Sequence, residues 1–307
     1  MSDARWPALP YEEWKETYQT LHMWTQVVGK VALAQSPPLN HSWGIAMHVT
    51  PRGIVTRTLP YGERAFTIEF DFVEHQLEVR VSDGTVRAMP LRSQSVADFY
   101  RDTLRLLGEM GLSVRIWPMA VEIATPIRLD QDTAHHTYVP EHANRAWRVI
   151  AQFDRVFNIS RCQFVGKCSP VHFFWGGFDL AVTRFSGRTA PPREGPAFMQ
   201  EAYSHEVISH GLWPGGELPG GLAHLESVFY AYAVPEPPGL KEARVEPAAA
   251  YYHRELGEFI LPYEAVRTAS DPDRALLDFV DSTYDRAASL GKWDRPALEK
   301  TPSRQIA

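Results

Sequence analysis

Basic charge is in short supply in this chain of 307 residues. The formal net charge is −6, which disfavours nonspecific nucleic-acid binding, because that requires a basic surface. Lysine is scarcest, confined to Lys15, Lys30, Lys167, Lys241, Lys292 and Lys300; arginine supplies the rest. Cysteine is nearly absent. Cys162 and Cys168 have a spacing that matches no zinc or redox motif. They suit a reducing cytoplasm and read as buried or half-buried thiols. No apolar run approaches the roughly 18 residues of a membrane span. The opening, "MSDARWPALPYEEW", lacks the basic and apolar regions of a secretion signal. There is no phosphate loop, dinucleotide fingerprint, G-x-S-x-G elbow or kinase signature. A cytoplasmic protein without a nucleic-acid or membrane partner is expected.

What is present describes an ordinary globular protein with many turns: 44% hydrophobic residues and 24 prolines. "YEEWKETYQTLHMWTQVVGK" spaces Trp14, Thr17, Leu21 and Trp24 as a helix does. Alternating strands follow. Phe66, Ile68, Phe70 and Phe72 face one side; Thr67, Glu69 and Asp71 face the other. Asp83-Gly84 marks a hairpin turn. Ser95 to Asp98 resembles a capping box, opening a helix that Gly111 ends. "LSVRIW" reads as a further strand. Residues 118–142 form a Pro- and Asp-rich connector. The order then restarts: a helix in "HANRAWRVIAQFDRVF", strands in "GFDLAVT", "SVFYAYAV" and "GEFILPY", and a last helix capped by Ser270-Asp271-Pro272.

Two stretches nearly repeat each other, "GKVALAQSPPLNHSWGIAMHVTPRG" from residue 29 and "GKCSPVHFFWGGFDLAVTRFSG" from residue 166. Direct strand-to-strand turns favour antiparallel pairing, and helices at the ends of a strand run argue α+β. The expected architecture is therefore α+β with an internal duplication. It has a first half at 11–117, the connector at 118–142, a second half at 143–295 and a tail at 296–307. The halves would pack with pseudo-two-fold symmetry, each an antiparallel sheet with flanking helices, leaving a cleft between them.

The second half also carries an insertion, 188–227, rich in Gly, Pro, His and Glu, and long excursions of that kind often bear function. His205 and His210 lie five apart, which gives a poor chelate on a helix and opposite faces on a strand. His205 with Glu201 is the better pair, either as acid/base groups, as ligands of a divalent metal completed by His172, or as a polar loop network. Glu206 would complement them. His41 is the counterpart of His172, and each either faces the cleft or holds its own turn. Arg184 and Arg188 could fork onto an anionic substituent. Trp175 and Phe174 would wall the pocket, and Lys167 of the second Gly-Lys pair either acts chemically or supports the fold. Asp179 either pairs with a nearby cation or belongs to the site. Tyr203 lies in the same insertion, and "GEFILPYEAVR" adds Glu258, Tyr263, Glu264 and Arg267. Leu212, Trp213 and Leu218 would form an apolar patch if the insertion docks a partner.

The segments "TLHMWTQVVGK", "NHSWGIAMHVTPRG", "SPVHFFWGGFDLAVTRFSGR", "EAYSHEV" and "GEFILPYEAVR" resemble a family of uncharacterised bacterial proteins known as a domain of unknown function. The resemblance spans most of the chain and implies a whole member of that family. It supplies no activity, cofactor or catalytic residue. The expected function is an enzyme acting on a small polar or anionic molecule in the inter-half cleft. A noncatalytic small-molecule binder and a partner-binding protein are the alternatives.

Overall fold

A computed structural model describes residues 5–218 and 222–300. Helix α1 (Tyr11–Gln35) leads into strands β1 (Met47–Val49), β2 (Gly53–Thr56), β3 (Leu59–Tyr61), β4 (Arg64–Asp71), β5 (Gln76–Val81) and β6 (Val86–Pro90), then α2 (Val96–Glu109). An irregular stretch ends at α3 (Pro140–Arg161). Next come β7 (His172–Phe174), β8 (Asp179–Thr189), α4 (Ala197–Ala202), β9 (His205–Trp213), β10 (Gly216–Leu218), β11 (Leu222–Leu225), β12 (Val228–Val234), β13 (Tyr251–His253) and β14 (Glu258–Pro262). The chain closes with α5 (Tyr263–Arg267), α6 (Pro272–Leu290) and α7 (Arg295–Leu298).

The fold is α+β, with one twelve-stranded sheet in the order β13-β14-β12-β9-β8-β7-β1-β2-β4-β5-β6, and β3 beside β4. The strand pairs are antiparallel. The early and late strands join edge to edge, where Met47 faces Phe173 across β1 and β7. They therefore share a single sheet.

Period-two alternation decides which side chains meet the helices. Met47, Ile54, Phe70, Leu180, Leu212 and Phe229 are buried and carry one face across the register. Phe70 stacks on Phe99 of α2, which stacks on Trp24 of α1 at 4.6 Å. Phe229 lies 5.3 Å from Phe153 of α3. His210 reaches Thr283 of α6 at 3.0 Å. Full burial of one such large apolar side chain stabilises by about 1.5–3 kcal/mol, so this row of contacts fixes the helical layer on that face.

Local signals account for the helix ends. Ser95 accepts a bond from Asp98 N at 3.0 Å, and Asp271 accepts one from Arg274 N at 3.0 Å. Gly111 has φ +70° just beyond α2, the left-handed turn that glycine permits.

Several expectations are corrected. "LSVRIW" is irregular rather than a strand. The insertion at 188–227 is not a loop at its centre: β9 pairs with β8 on one side and β12 on the other. Its Val207, Ile208 and Leu212 are buried, and that apolar content draws it into the sheet. The repeated Gly-Lys pairs sit in unlike places, Gly29-Lys30 inside α1 and Gly166-Lys167 in a loop after α3. Cys162 is exposed just past α3, while Cys168 is half-buried. The tail docks as far as it is described, with Val165 N donating to Leu298 O at 2.7 Å. Residues 301–307 lie outside the described residues.

Gly29 is a packing requirement. Trp175 lies over it so closely that a Cβ there would overlap the indole, and Trp175 Nε1 donates to Ile45 O at 3.1 Å. Gly29→Ala gains helix propensity, but overpacking outweighs it. A net loss of about 1–3 kcal/mol is expected, measured as a lower urea midpoint with an unchanged slope.

Candidate functional site

A cavity of about 850 Å³ opens where α1 and residues 122–127 meet the strands of the second half. Its position follows from the alternation described above. Phe229, Ala231 and Ala233 of β12 are buried, so Tyr230 and Tyr232 project from the opposite face, into the cavity. From α1 come Tyr18, Gln19, His22 and Met23; from β8 and β14 come Asp179 and Glu258.

Asp179 is the centre of its chemistry. Tyr230 Oη donates to Asp179 Oδ2 at 2.5 Å. Tyr230 reaches it by lying across Gly211, where a Cβ would overlap the phenol ring. Burial pushes the Asp179 carboxyl up to about 7, with the Tyr230 bond opposing and the charge of Glu122 assisting. Glu258 is also pushed up to about 7, by burial first and then by the charge of Asp179. The Glu122 carboxyl lies against Gly176 and Gly177, and that burial raises it too. A Cβ on Gly177 would stand 3.0 Å from Asp179 Oδ1 and 3.4 Å from Glu122 Oε2, so glycine leaves both oxygens open to one small volume. Among the described residues no donor and no cation pairs with the carboxyls of Glu258 and Glu122. Among the described residues no Lys or Arg side chain lines the cavity.

The walls are held from behind. Gln26, buried in α1, accepts from Val121 N at 3.0 Å and donates to Val121 O at 2.9 Å and Gly176 O at 3.1 Å. This ties α1 to the segments bearing Glu122 and Asp179. His22 Nε2 meets Gly176 O at 2.8 Å. A carbonyl only accepts, so that nitrogen carries the proton. Burial holds the ring neutral, lowering it to about 4. Glu122 and Phe178, which precedes Asp179, have φ of 60° and 56°, a strained region for side-chain-bearing residues.

A family model matches residues 6–300. The chain belongs to a family of unknown function, DUF5996. No curated protein and no solved structure matches it.

His41, Lys167, His172, Phe174, Trp175, Arg184, Arg188, Glu201, His205 and Glu206 are not among the residues lining this cavity, whereas Asp179, read as either a cation's partner or a site group, is. His172 is buried at the start of β7, its ring 5.1 Å from that of His48, and burial lowers it to about 3. His205 is exposed at the start of β9, with Nδ1 3.1 Å from Ser204 Oγ. Their partners on β8 are Ala181 and Thr189, eight positions apart. At ~3.3 Å per residue the two histidines stand far apart along the strand, and the structure does not bring them together. Glu201 lies exposed on α4. Among the described residues no three His, Cys, Asp or Glu side chains gather to hold a metal, so His172, His205 and Glu201 do not supply that ligand set.

The two arginines are committed to the protein. Arg184 is on the helix-facing side, donating to Ser160 Oγ at 2.7 Å with its guanidinium 4.5 Å from the Tyr284 ring. Arg188 grips Glu206 at 2.6 Å and donates to Gly291 O, also at 2.6 Å, beyond α6. Trp175 packs on Gly29, Phe174 is half-buried beside His172, and Lys167 is exposed. His41 stacks on Trp43 at 5.2 Å, and burial lowers it to about 4, assisted by His205. Of the patch expected on the insertion, Leu212 is buried, Trp213 lines the cavity, and the side chain of Leu218 lies outside the described residues.

Two outcomes follow from the Asp179 geometry. Tyr230→Phe removes the donor that favours the carboxylate, so Asp179 titrates higher; Gly211→Ala does the same by displacing the ring. Carboxyl-carbon NMR titration reads both. A carboxyl whose folded value is raised binds its proton more tightly folded than unfolded. Stability then falls as pH rises from about 4 to about 7. Asp179→Asn flattens that slope and stabilises the fold at pH 8 by about 0.5–2 kcal/mol, as chemical denaturation at several pH values would show.

Proposed function

We propose that this protein is an enzyme that moves a proton on a small polar molecule held in the cavity. The carrying observation is that Asp179 and Glu258, two half-buried carboxyls, line one cavity together, each pushed up to about 7 chiefly by burial. Charge is harder to place on the second once the first is ionised, so the protons leave in sequence. Tyr230 favours the anion of Asp179, whereas Glu258 has only burial and a neighbouring negative charge. Asp179 therefore ionises first and serves as the base; Glu258 keeps its proton longer and serves as the acid. Groups matched to the working pH in this way are suited to general acid–base chemistry.

The volume supports a small-molecule partner, since it falls within the range of ligand pockets. The acidic walls favour a polar rather than an anionic molecule. The finer architectural reading joins this proposal: a cytoplasmic protein derived from a duplicated helix–strands–helix unit, with the cavity between elements of the early and late halves. Its support is the repeated element order and the meeting of the halves at β1 and β7.

Incubating the protein with a metabolite extract in D2O tests the function. The wild type should convert one compound, or exchange one of its protons for deuterium, as followed by mass spectrometry. Asp179→Asn and Glu258→Gln should each slow this by about 10²–10⁴-fold. A compound that binds in the cavity with neither conversion nor exchange would instead establish the noncatalytic binder.

A further inference from the structure

We propose that the molecule taken by the cleft is an organic cation, carrying a protonated amine beside an apolar body. This rests on the reading that the cavity is the ligand site, and goes on to name the ligand class.

Four observations meet here. First, three carboxyls line one open cavity without a cation among its described lining residues. The remaining ion pairs of the described residues engage other acids, such as Glu206 with Arg188 and Asp273 with Arg155. Glu122 is exposed and Asp179 and Glu258 are half-buried; like charges gathered without a counter-ion repel one another, so these carboxyls leave that role to a ligand. A neutral polyol could hydrogen-bond these groups but could not offset their charge.

Second, the carboxyls are set in aromatic walls. Tyr230 and Tyr232 lie nearly parallel, 16° apart, with centroids at 6.1 Å; Tyr203 turns against Tyr232 at 63° and 6.4 Å. Ring faces attract cations. Tyr203 already receives one, because the Arg193 guanidinium stands 4.6 Å from its centroid. That arginine does not line the cavity and pairs with none of the three carboxyls.

Third, His22 is only 6% exposed and lines the cavity. Its Nε2–H is committed to Gly176 O, so Nδ1 offers a lone pair. No hydrogen bond engages Nδ1 among the described residues. An acceptor there, beside carboxylates, fits a ligand rich in N–H donors, as an ammonium is.

Fourth, the strained backbone at Glu122 and Phe178 brings a carboxylate to the volume from each side of Gly177. Strain retained at such positions marks functional geometry.

Three probes of one skeleton separate the ligand classes: 2-phenylethylamine, cationic at pH 8; 2-phenylethanol, neutral; and phenylacetate, anionic. The ¹³C-methyl signal of Met23, which lines the cavity, reports binding there. The expected result is that the amine binds at least about tenfold more tightly than either other probe. Glu258→Gln should remove that preference. Glu122→Gln should reduce it even if the first variant folds poorly. Equal or tighter binding of the alcohol or the acid overturns the cationic class while leaving the cavity as a ligand site. If no probe moves the Met23 signal at millimolar concentration, the cavity is not a ligand site, and the proposed function falls with this inference.

Discussion

Tyr230 lies flat on Gly211 and gives its hydroxyl proton to Asp179. The candidate site depends on that contact. It draws a phenol from β12 across β9 to a carboxyl at the start of β8, so three strands must be in register before it can form. Among the described residues it also supplies the only side-chain donor to Asp179, in a region where burial would otherwise favour the neutral acid.

The sheet makes the contact possible by dividing its labour between two faces. One carries apolar side chains into the layer of α1, α2, α3 and α6, and those contacts hold the molecule together. The other is released from that duty in the second half and carries tyrosines and acids. Gathering three carboxyls with no cation among the described residues opposes folding above neutral pH, and a network such as Gln26 with Val121 and Gly176 holds the geometry against that cost. Stability set aside in this way is common where a site must be ready for a partner.

The arginines show the opposite use of charge. Arg184 is buried among Ser160, Tyr284 and Phe164, and Arg188 joins β9 to the end of α6 through Glu206 and Gly291. Both lie on the same strand as Asp179, β8. Sequence proximity therefore grouped structural cations with the acids of the cavity, while alternation and register send them to different places.

The sequence alone determined what depends on neighbours along the chain. Caps at Ser95 and Asp271, the helical spacing of α1 and α3, the alternation of β4 and β12, and the α+β class are all local patterns. Family membership was likewise legible from "SPVHFFWGGFDLAVTRFSGR" and its companions. Tertiary structure decided which polar groups share a volume. His172 and His205 stood ahead of Asp179 as candidates, because a carboxylate among nearby arginines reads equally as half of an ion pair. Glu122 and Gln26 carried no signal, since neither a connector glutamate nor a helix glutamine reveals its partner 50 or 150 positions away. Even β9 hid within an excursion rich in glycine and proline. Pairing partners come from both directions along the chain, and only the assembled sheet shows which side chains face one another across it.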